Sequence, residues 1–254
     1  MLTKSKGYDI IMAKEDRNGD LHSEANGQYV EKGNSDSKNT ELEKAKRIYD
    51  SDYNKNTVDI PPEHKSFEKL EDINNFFLYD GPQRGLLAKR SSAHSVWDHN
   101  LTGYQRHIIS EYTADGYDDI NSSLRGLSST NVKQQVDALD KAIADYTLKE
   151  PIIVYRSIPS EYVIPYKGDV ASLVGTDYSD KAFMSTTPYP NSPALRYDLM
   201  MMIKLPKGKG IGAYIEEYNN MDEVEFLLAR NSKFKIIGAK EEKGQYFLEM
   251  ELIK

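Results

Sequence analysis

The hydrophobic pattern of this chain changes at Pro151, and this change limits the fold more than any other feature. Between residues 66 and 147, apolar residues recur at helical spacing, as in Val136, Leu139 and Ile143. After Pro151 they form short runs rich in β-branched residues. These runs predict strands at 152–156, 182–187, 199–205, 212–215, 225–228, 234–240 and 245–252. Helices that come first and strands that follow predict an α+β fold rather than alternating βαβ units.

The same patterns give expectations for helix faces, caps and turns. Two sets of residues are predicted to share helix faces: Phe67 with Leu70 and Ile73, and Tyr104 with Ile108 and Tyr112. Thr130 or Asn131 is the expected N-cap of the helix that follows. Lys243-Gly244 predicts a tight turn between the last two strands, and 206–210 predicts another turn.

The N-terminal part has a different composition. Residues 14–60 are rich in Gly, Asn, Asp, Ser, Lys and Glu, with few aliphatic side chains to bury. Such a segment cannot offset its ordering entropy by burial, so it is expected to be a flexible leader. Leu42, Ala45 and Ile48 are spaced for a short helix at 40–50. The predicted division is a leader at 1–60 and a globular domain at 61–254.

Composition excludes several functional classes. The chain of 254 residues has no cysteine, which excludes disulfides, thiolate metal sites and a cysteine nucleophile. It lacks the ~20-residue apolar run of a membrane span and an N-terminal apolar secretory stretch. The net charge of −7 disfavours nucleic acid and favours a protein partner. His94 and His99 are poorly spaced for one helix face, so no metal site is predicted.

Two carboxylates near the C-terminus are the first candidate site residues. Glu223-Val224-Glu225 places them two residues apart. In an extended strand they would share one face, while Val224 and Phe226 would face a core. Paired carboxylates suit a reaction that develops a cation and needs a nucleophile to be oriented.

Two further motifs precede this pair. Arg156 ends a predicted strand, and Ser185-Thr186-Thr187 lies in another. Each motif alone is also typical of ordinary structure, such as a surface ion pair or a strand edge. Their combination and order indicate a functional site.

Arginine, Ser-Thr-Thr and Glu-x-Glu in this order resemble the bacterial mono-ADP-ribosyltransferase toxins, in particular the iota-toxin enzymatic component and the clostridial Rho-modifying exoenzymes. Two longer segments are similar as well: Glu111-Tyr-Thr-Ala-Asp-Gly-Tyr-Asp-Asp-Ile-Asn-Ser-Ser-Leu-Arg-Gly126 and Phe226-Leu-Leu-Ala-Arg-Asn-Ser-Lys-Phe234. The resemblance covers about residues 65–254. It implies an N-terminal helical layer packed on two mostly antiparallel sheets, which form a β-sandwich with an NAD cleft between them.

The resemblance also implies roles for individual residues. NAD would be the co-substrate, with no metal. Glu225 would stabilise the oxocarbenium-like transition state and hold the ribose 2′-hydroxyl, and Glu223 would orient an attacking guanidinium. Ser185 would position Glu225, supported by Thr187. The remaining NAD contacts implied are Arg125, Arg156, Asn121, Tyr112, Tyr117 and Arg196.

A glutamate at the first position of the pair goes with arginine acceptors in this family, so the expected partner is a target protein with an acceptor arginine. Actin and small GTPases are both open as targets, and a separate translocation component is a further open partner. Asn220 stands where the family often has a target-docking aromatic residue, and Glu161 stands where iota-like enzymes have glutamine. Both departures leave the target undetermined. Secretion or delivery by a signal-independent route is expected.

Two alternatives remain. One is an NAD glycohydrolase that uses water as the acceptor. The other is a non-catalytic virion or delivery component that uses the same fold as an adaptor, with the leader as its tether. Glu223 argues against the first alternative, because hydrolysis needs no residue to activate a guanidinium. Glu225, Ser185 and Arg156 together argue against the second.

Overall fold

The computed structural model describes residues 64–79, 92–164, 169–219 and 224–253, together with three short strands near the N-terminus. These strands are β1 (Lys14–Glu15), β2 (Leu21–His22) and β3 (Tyr29–Val30), and they pair in an antiparallel arrangement. The helix predicted at 40–50 lies outside the described residues. The boundary predicted at residue 60 stays a prediction.

A layer of helices comes first, as the sequence predicts. It comprises α1 (Leu70–Phe77), α2 (Ser92–Asn100), α3 (Gly103–Glu111), a π-helical turn (Tyr112–Gly116), α4 (Tyr117–Arg125) and α5 (Lys133–Asp145). Thr102 begins α3 with a capping box: its hydroxyl accepts from the backbone N–H of Gln105, whose side chain accepts from the backbone N–H of Thr102. Gly126 ends α4 in the left-handed conformation, with φ 79°.

The predicted helix faces are correct for α5 and partly wrong elsewhere. Val136, Leu139 and Ile143 are all buried on α5. Leu70 is 45% exposed, because α1 begins at this residue and Phe67 precedes the helix. Tyr104 is 46% exposed, because it lies in the first turn of α3.

The predicted N-cap of α5 is also wrong. The cap position is Val132, with no side-chain hydrogen bond to the helix. Asn131 lies one residue earlier and its Oδ1 accepts from the backbone N–H of Lys133 at 3.3 Å. The side chain of Asn131 therefore makes a local turn in front of the helix rather than capping it.

Ten further strands follow: β4 (Thr147–Leu148), β5 (Ile152–Ile158), β6 (Asp177–Ser179), β7 (Met184–Thr186), β8 (Leu199–Leu205), β9 (Gly208–Lys209), β10 (Gly212–Tyr214), β11 (Phe226–Leu228), β12 (Lys233–Glu242) and β13 (Gln245–Leu252). Five of them form a mixed sheet in the order β5-β8-β13-β12-β6, in which only β8 and β13 run parallel. Three form an antiparallel sheet in the order β10-β11-β7, and β4 pairs with β9. The predicted α+β fold with two mostly antiparallel sheets is confirmed.

One hydrophobic core joins the helical layer and the two larger sheets. Alternation along β5 sends Val154 and Ile158 into this core and Ile153 and Tyr155 to the opposite face, where they meet Met200 and Met202. The predicted turn at Lys243-Gly244 is confirmed: both residues have positive φ, as a two-residue hairpin between β12 and β13 requires. Within the described residues, no helix is long and apolar enough to span a membrane.

The two larger sheets meet at a seam between β5 and the end of β7. Tyr155 and Thr187 exchange both backbone hydrogen bonds, with N···O distances of 2.7 and 2.8 Å. The residues next to this bridge, Arg156 and Thr186, therefore have fixed positions relative to each other.

We predict that Thr102→Ala lowers the free energy of unfolding by about 1 kcal/mol, because it removes the hydroxyl that accepts from the first turn of α3. The matched control is Thr130→Ala, at the position where the sequence suggests a cap and the structure has none. Urea unfolding followed by circular dichroism measures both. Equal losses in the two variants would contradict the observed capping.

Candidate active site

The short pairing of β7 with β11 places two of the candidate residues together. Ser185 lies opposite Leu227 in this pairing, and Thr186 lies opposite Phe226. The Thr186 hydroxyl donates to the Phe226 carbonyl at 2.6 Å. Ser185 therefore points to the other side of β7 from the buried Met184 and Thr186, and Glu225 immediately precedes β11. Glu225 is 6% exposed, which is unusual for a carboxylate.

The backbone before Glu225 differs from the predicted extended strand. Val224 has φ 51°, in the left-handed region that a β-branched residue rarely adopts. The extended conformation expected at Val224 is therefore wrong, whereas the shared face of residues 223 and 225 stays a prediction. Val224 and Phe226 are both buried, as predicted. Glu223 lies outside the described residues.

Arg156 reaches the same region from the other sheet. It follows Val154 by two residues on β5, so its side chain leaves the strand on the core side. Its Nη1 donates to the backbone carbonyl of Ser185 at 2.7 Å. A guanidinium is thus fixed next to the strand that carries Ser185.

Tyr112 is the centre of the cluster. Its hydroxyl accepts from Asn121 Nδ2 at 2.9 Å, and the Ser185 side chain lies near enough to lower the pKa of Tyr112. Burial, followed by the negative charge of Glu225, raises the pKa of Tyr112, although Asn121, Ser185 and the positive charge of Arg156 act in the opposite direction. The hydroxyl is therefore neutral throughout the physiological range. Four other candidate residues therefore contact Tyr112 or influence its pKa: Asn121, Ser185, Glu225 and Arg156.

Arg125 lies at the edge of this cluster and has a partner that the sequence does not indicate. Its Nε and Nη2 donate to the two carboxylate oxygens of Asp180 at 3.1 and 2.8 Å. The two side chains are only 8% and 5% exposed. Burial lowers the pKa of Arg125, but the hydrogen bonds and charge of Asp180 outweigh it and raise the pKa overall. One side of the Arg125 guanidinium is therefore engaged by Asp180, and the expected contact of Arg125 with a pyrophosphate stays a prediction.

Two buried side-chain oxygens in this region have unused hydrogen-bonding capacity. Within the part of the chain that the structure describes, Asn121 Oδ1 and the Tyr178 hydroxyl have no hydrogen-bond partner. Tyr178 lies near enough to Asp180, Arg156 and Arg125 for their charges to act on it. Unpaired buried polar groups cost free energy, so they are uncommon away from functional sites. A polar, anionic ligand with hydroxyl groups fits this set of donors and acceptors.

The structure places the other predicted residues less centrally. Tyr117 begins α4, is 37% exposed, and its ring lies 6.3 Å from that of Tyr112. Thr187 is buried in the sheet seam, where its hydroxyl accepts from the Tyr189 backbone N–H at 3.1 Å. Arg196 is exposed, with its guanidinium carbon 5.5 Å from the Tyr197 ring centroid.

No group of three potential metal ligands among His, Cys, Asp and Glu occurs within the described residues. His94 is buried and hydrogen-bonds Glu217, whereas His99 is exposed. The two histidines therefore have different environments on α2, as their spacing predicts.

Sequence reasoning missed Tyr178 and Asp180. They lie two residues apart, just before the Ser-Thr motif, and both are buried although their neighbours Asp177 and Ser179 are exposed. The alternation of this short segment is the only sequence signal that could have indicated them. The partner of Asp180 is 55 residues away, so no local pattern could have identified it.

The chain belongs to the ADP-ribosyltransferase exoenzyme family, because residues 90–253, more than half of its length, match that family. This membership confirms the resemblance to the bacterial mono-ADP-ribosyltransferase toxin family seen in the sequence. A comparison with curated proteins finds no match.

Solved structures agree on the fold. The C3 exoenzyme of Clostridium limosum has a TM-score of 0.60 and 17% identity, over 75% of this chain and 98% of that one. C3stau2 from S. aureus, solved with NAD, has a TM-score of 0.60 and 19% identity, over 76% and 99%. Plx2a, an ADP-ribosyltransferase toxin from Paenibacillus larvae, has a TM-score of 0.56 and 21% identity, over 64% and 92%.

We predict that Arg125→Ala lowers the free energy of unfolding by about 3–5 kcal/mol, because it leaves the Asp180 carboxylate buried without its ion-pair partner. The control is Arg196→Ala, an exposed arginine whose loss should cost less than about 1 kcal/mol. Denaturant unfolding measures both. Wild-type stability in Arg125→Ala would show that the ion pair does not support the fold.

Proposed function

We propose that this protein transfers ADP-ribose from NAD to an arginine of a target protein and releases nicotinamide. The observation that carries the proposal is the cluster around Tyr112, in which Ser185, Asn121, Arg156 and Glu225 converge from the helical layer and both sheets. Membership of the exoenzyme family supports ADP-ribosyl transfer. The use of NAD as donor and of an arginine as acceptor goes beyond what family membership supports.

The proposed donor chemistry begins with the bond between C1′ of the ribose and the nicotinamide nitrogen. When this bond breaks, nicotinamide leaves with the electron pair and the ribose develops oxocarbenium character. The buried Glu225 carboxylate stabilises that positive charge more strongly than it would in water. Ser185 and Tyr112 restrict where the ribose can lie.

The proposed binding of the remaining NAD groups uses donors and acceptors present in the cluster. Arg156 supplies positive charge for the pyrophosphate, and so does the part of the Arg125 guanidinium that does not bind Asp180. Asn121 Oδ1 and the Tyr178 hydroxyl are buried polar atoms that ligand hydroxyls or phosphate oxygens can satisfy. In this proposal Tyr117 and Arg196 lie at the exposed entrance of the NAD site. Thr187 supports the strand that carries Ser185.

The acceptor half of the proposal depends on Glu223. A guanidinium is protonated in water, so it needs a neighbouring base before it can attack C1′. Glu223 accepts that proton as the new bond between the guanidinium nitrogen and C1′ forms. The proposed target is a protein with an accessible acceptor arginine, such as actin or a small GTPase.

We predict that Glu225→Gln lowers ADP-ribose transfer by about 10²–10³-fold while NAD affinity changes little, because the amide keeps the shape but not the charge. Glu241→Gln, an exposed glutamate of the β12–β13 hairpin, is the matched control. Radiolabelled NAD with agmatine and with cell lysate measures transfer, and calorimetry measures NAD binding. Activity within a few-fold of the wild type would remove Glu225 from the reaction.

We predict that Glu223→Gln separates two activities. Transfer to agmatine should fall by at least about tenfold more than nicotinamide release in the absence of an acceptor, because only transfer needs an activated guanidinium. A wild-type enzyme that releases nicotinamide but labels no acceptor would instead indicate an NAD glycohydrolase. Equal losses of both activities in Glu223→Gln would place this residue on NAD rather than on the acceptor.

A further inference from the structure

The pairing of β10 with β11 ends irregularly beside Glu225. Tyr214 lies opposite Phe226 in this antiparallel pair, so Ile215 and Glu225 are the next residues to face each other. The Ile215 N–H donates to the Glu225 carbonyl at 3.1 Å, as regular pairing requires. Regular pairing would also direct the Glu225 N–H to the Ile215 carbonyl. That carbonyl accepts from the Tyr218 N–H at 2.9 Å, which closes a 3-10 turn, here called the 216–218 turn.

The side chain of Glu216 takes the place of that carbonyl. Its Oε2 accepts from the backbone N–H of Glu225 at 3.1 Å. Glu216 is partly buried. Burial raises the pKa of the Tyr214 hydroxyl in β10, and the nearby negative charge of Glu216 adds to this effect. The backbone of Glu225 is therefore bound on both sides: its carbonyl by Ile215, and its N–H by a carboxylate, which is a stronger acceptor than a neutral carbonyl.

The backbone directly before this bond is strained. Val224 has φ 51°, a conformation that a β-branched residue keeps only where neighbouring contacts hold it. Without the bond to Glu216, the peptide between Val224 and Glu225 would relax toward the extended conformation that valine prefers. This rotation would move the Glu225 carboxylate relative to Ser185 and Arg156, which β7 and β5 hold in place.

We infer that Glu216 is a positioning residue for NAD cleavage: its hydrogen bond to the Glu225 N–H holds the Glu225 carboxylate where the ribose cation develops. This inference rests on the proposed function and deepens it, because it assigns the orientation of the catalytic candidate to a second carboxylate. Glu216 acts through the backbone of Glu225 and needs no contact with NAD. Its loss therefore lowers the rate of cleavage more than the affinity for NAD.

The experiment uses the full-length chain with Glu216→Ala and Glu216→Gln. Alanine removes the acceptor, whereas glutamine keeps an oxygen that can accept from the Glu225 N–H and removes only the charge. The matched control is Glu217→Ala, which removes the neighbouring carboxylate of the same turn. That carboxylate contacts His94 on α2. Thermal unfolding verifies that each variant is folded.

The first readout is nicotinamide release without an acceptor, which measures NAD cleavage alone. In Glu216→Ala, kcat should fall about tenfold, as for the loss of one charge-assisted hydrogen bond. The calorimetric Kd for NAD should change by less than about threefold, because only the orientation of Glu225 is lost. Glu216→Gln should remain within about threefold of the wild-type kcat, and Glu217→Ala within about twofold.

A double-mutant cycle tests whether Glu216 acts through Glu225. In the Glu225→Gln background, Glu216→Ala should lower nicotinamide release by less than about a further twofold, because the charge that Glu216 positions is already absent. A tenfold loss in both backgrounds would show an independent role and would overturn the inference. So would a loss in Glu216→Gln or in Glu217→Ala as large as that in Glu216→Ala.

The second readout does not depend on activity. The Glu225 amide should exchange with solvent about tenfold faster in Glu216→Ala than in the wild type, measured by NMR, because it loses its acceptor. Unchanged exchange would overturn the inference. A wild-type protein that releases no nicotinamide would refute the proposed function, and the role of Glu216 in cleavage with it. A wild-type protein that releases nicotinamide but labels no arginine would refute only the acceptor half of the proposed function.

Discussion

The candidate site depends on the seam between the two larger sheets. The two backbone hydrogen bonds between Tyr155 and Thr187 fix β5 against the end of β7. This bridge brings the Arg156 guanidinium to the Ser185 carbonyl. Because β7 also pairs with β11, the same seam sets the distance from Arg156 to Glu225. A shift of one residue at this bridge would turn Ser185 toward the core and separate the charged groups.

The site concentrates features that disfavour folding. Glu225 is nearly buried, Arg125 and Asp180 form a buried ion pair, and Val224 has a strained backbone. Buried ion pairs contribute little net stability compared with apolar packing, and a buried carboxylate is costly unless the surroundings compensate it. The apolar core that joins the helices to both sheets allows these features to persist. Such a combination is typical of preorganised sites, where stability is exchanged for chemistry.

Local sequence patterns predicted the bounds of strands well where a single feature of the sequence decides the structure. β8 and β13 have the predicted bounds, since a continuous apolar run and a regular alternation leave few alternatives. Predictions that depend on the exact start of a helix were wrong, as at Leu70 and Tyr104. The extended conformation expected at Val224 was also wrong, because the contacts of the adjacent turn override the strand preference of a β-branched residue.

By itself, the sequence determined the order of helices and strands, the hairpin at Lys243-Gly244, the absence of thiol chemistry and the chemical groups available to the site. Only the tertiary structure decided how these groups are paired. Asp180 engages Arg125 across 55 residues, and Glu217 engages His94 across 123. The physical reason is that periodicity and turn chemistry act over a few residues. Contacts between distant side chains are set by how the helical layer and the two sheets pack around one core.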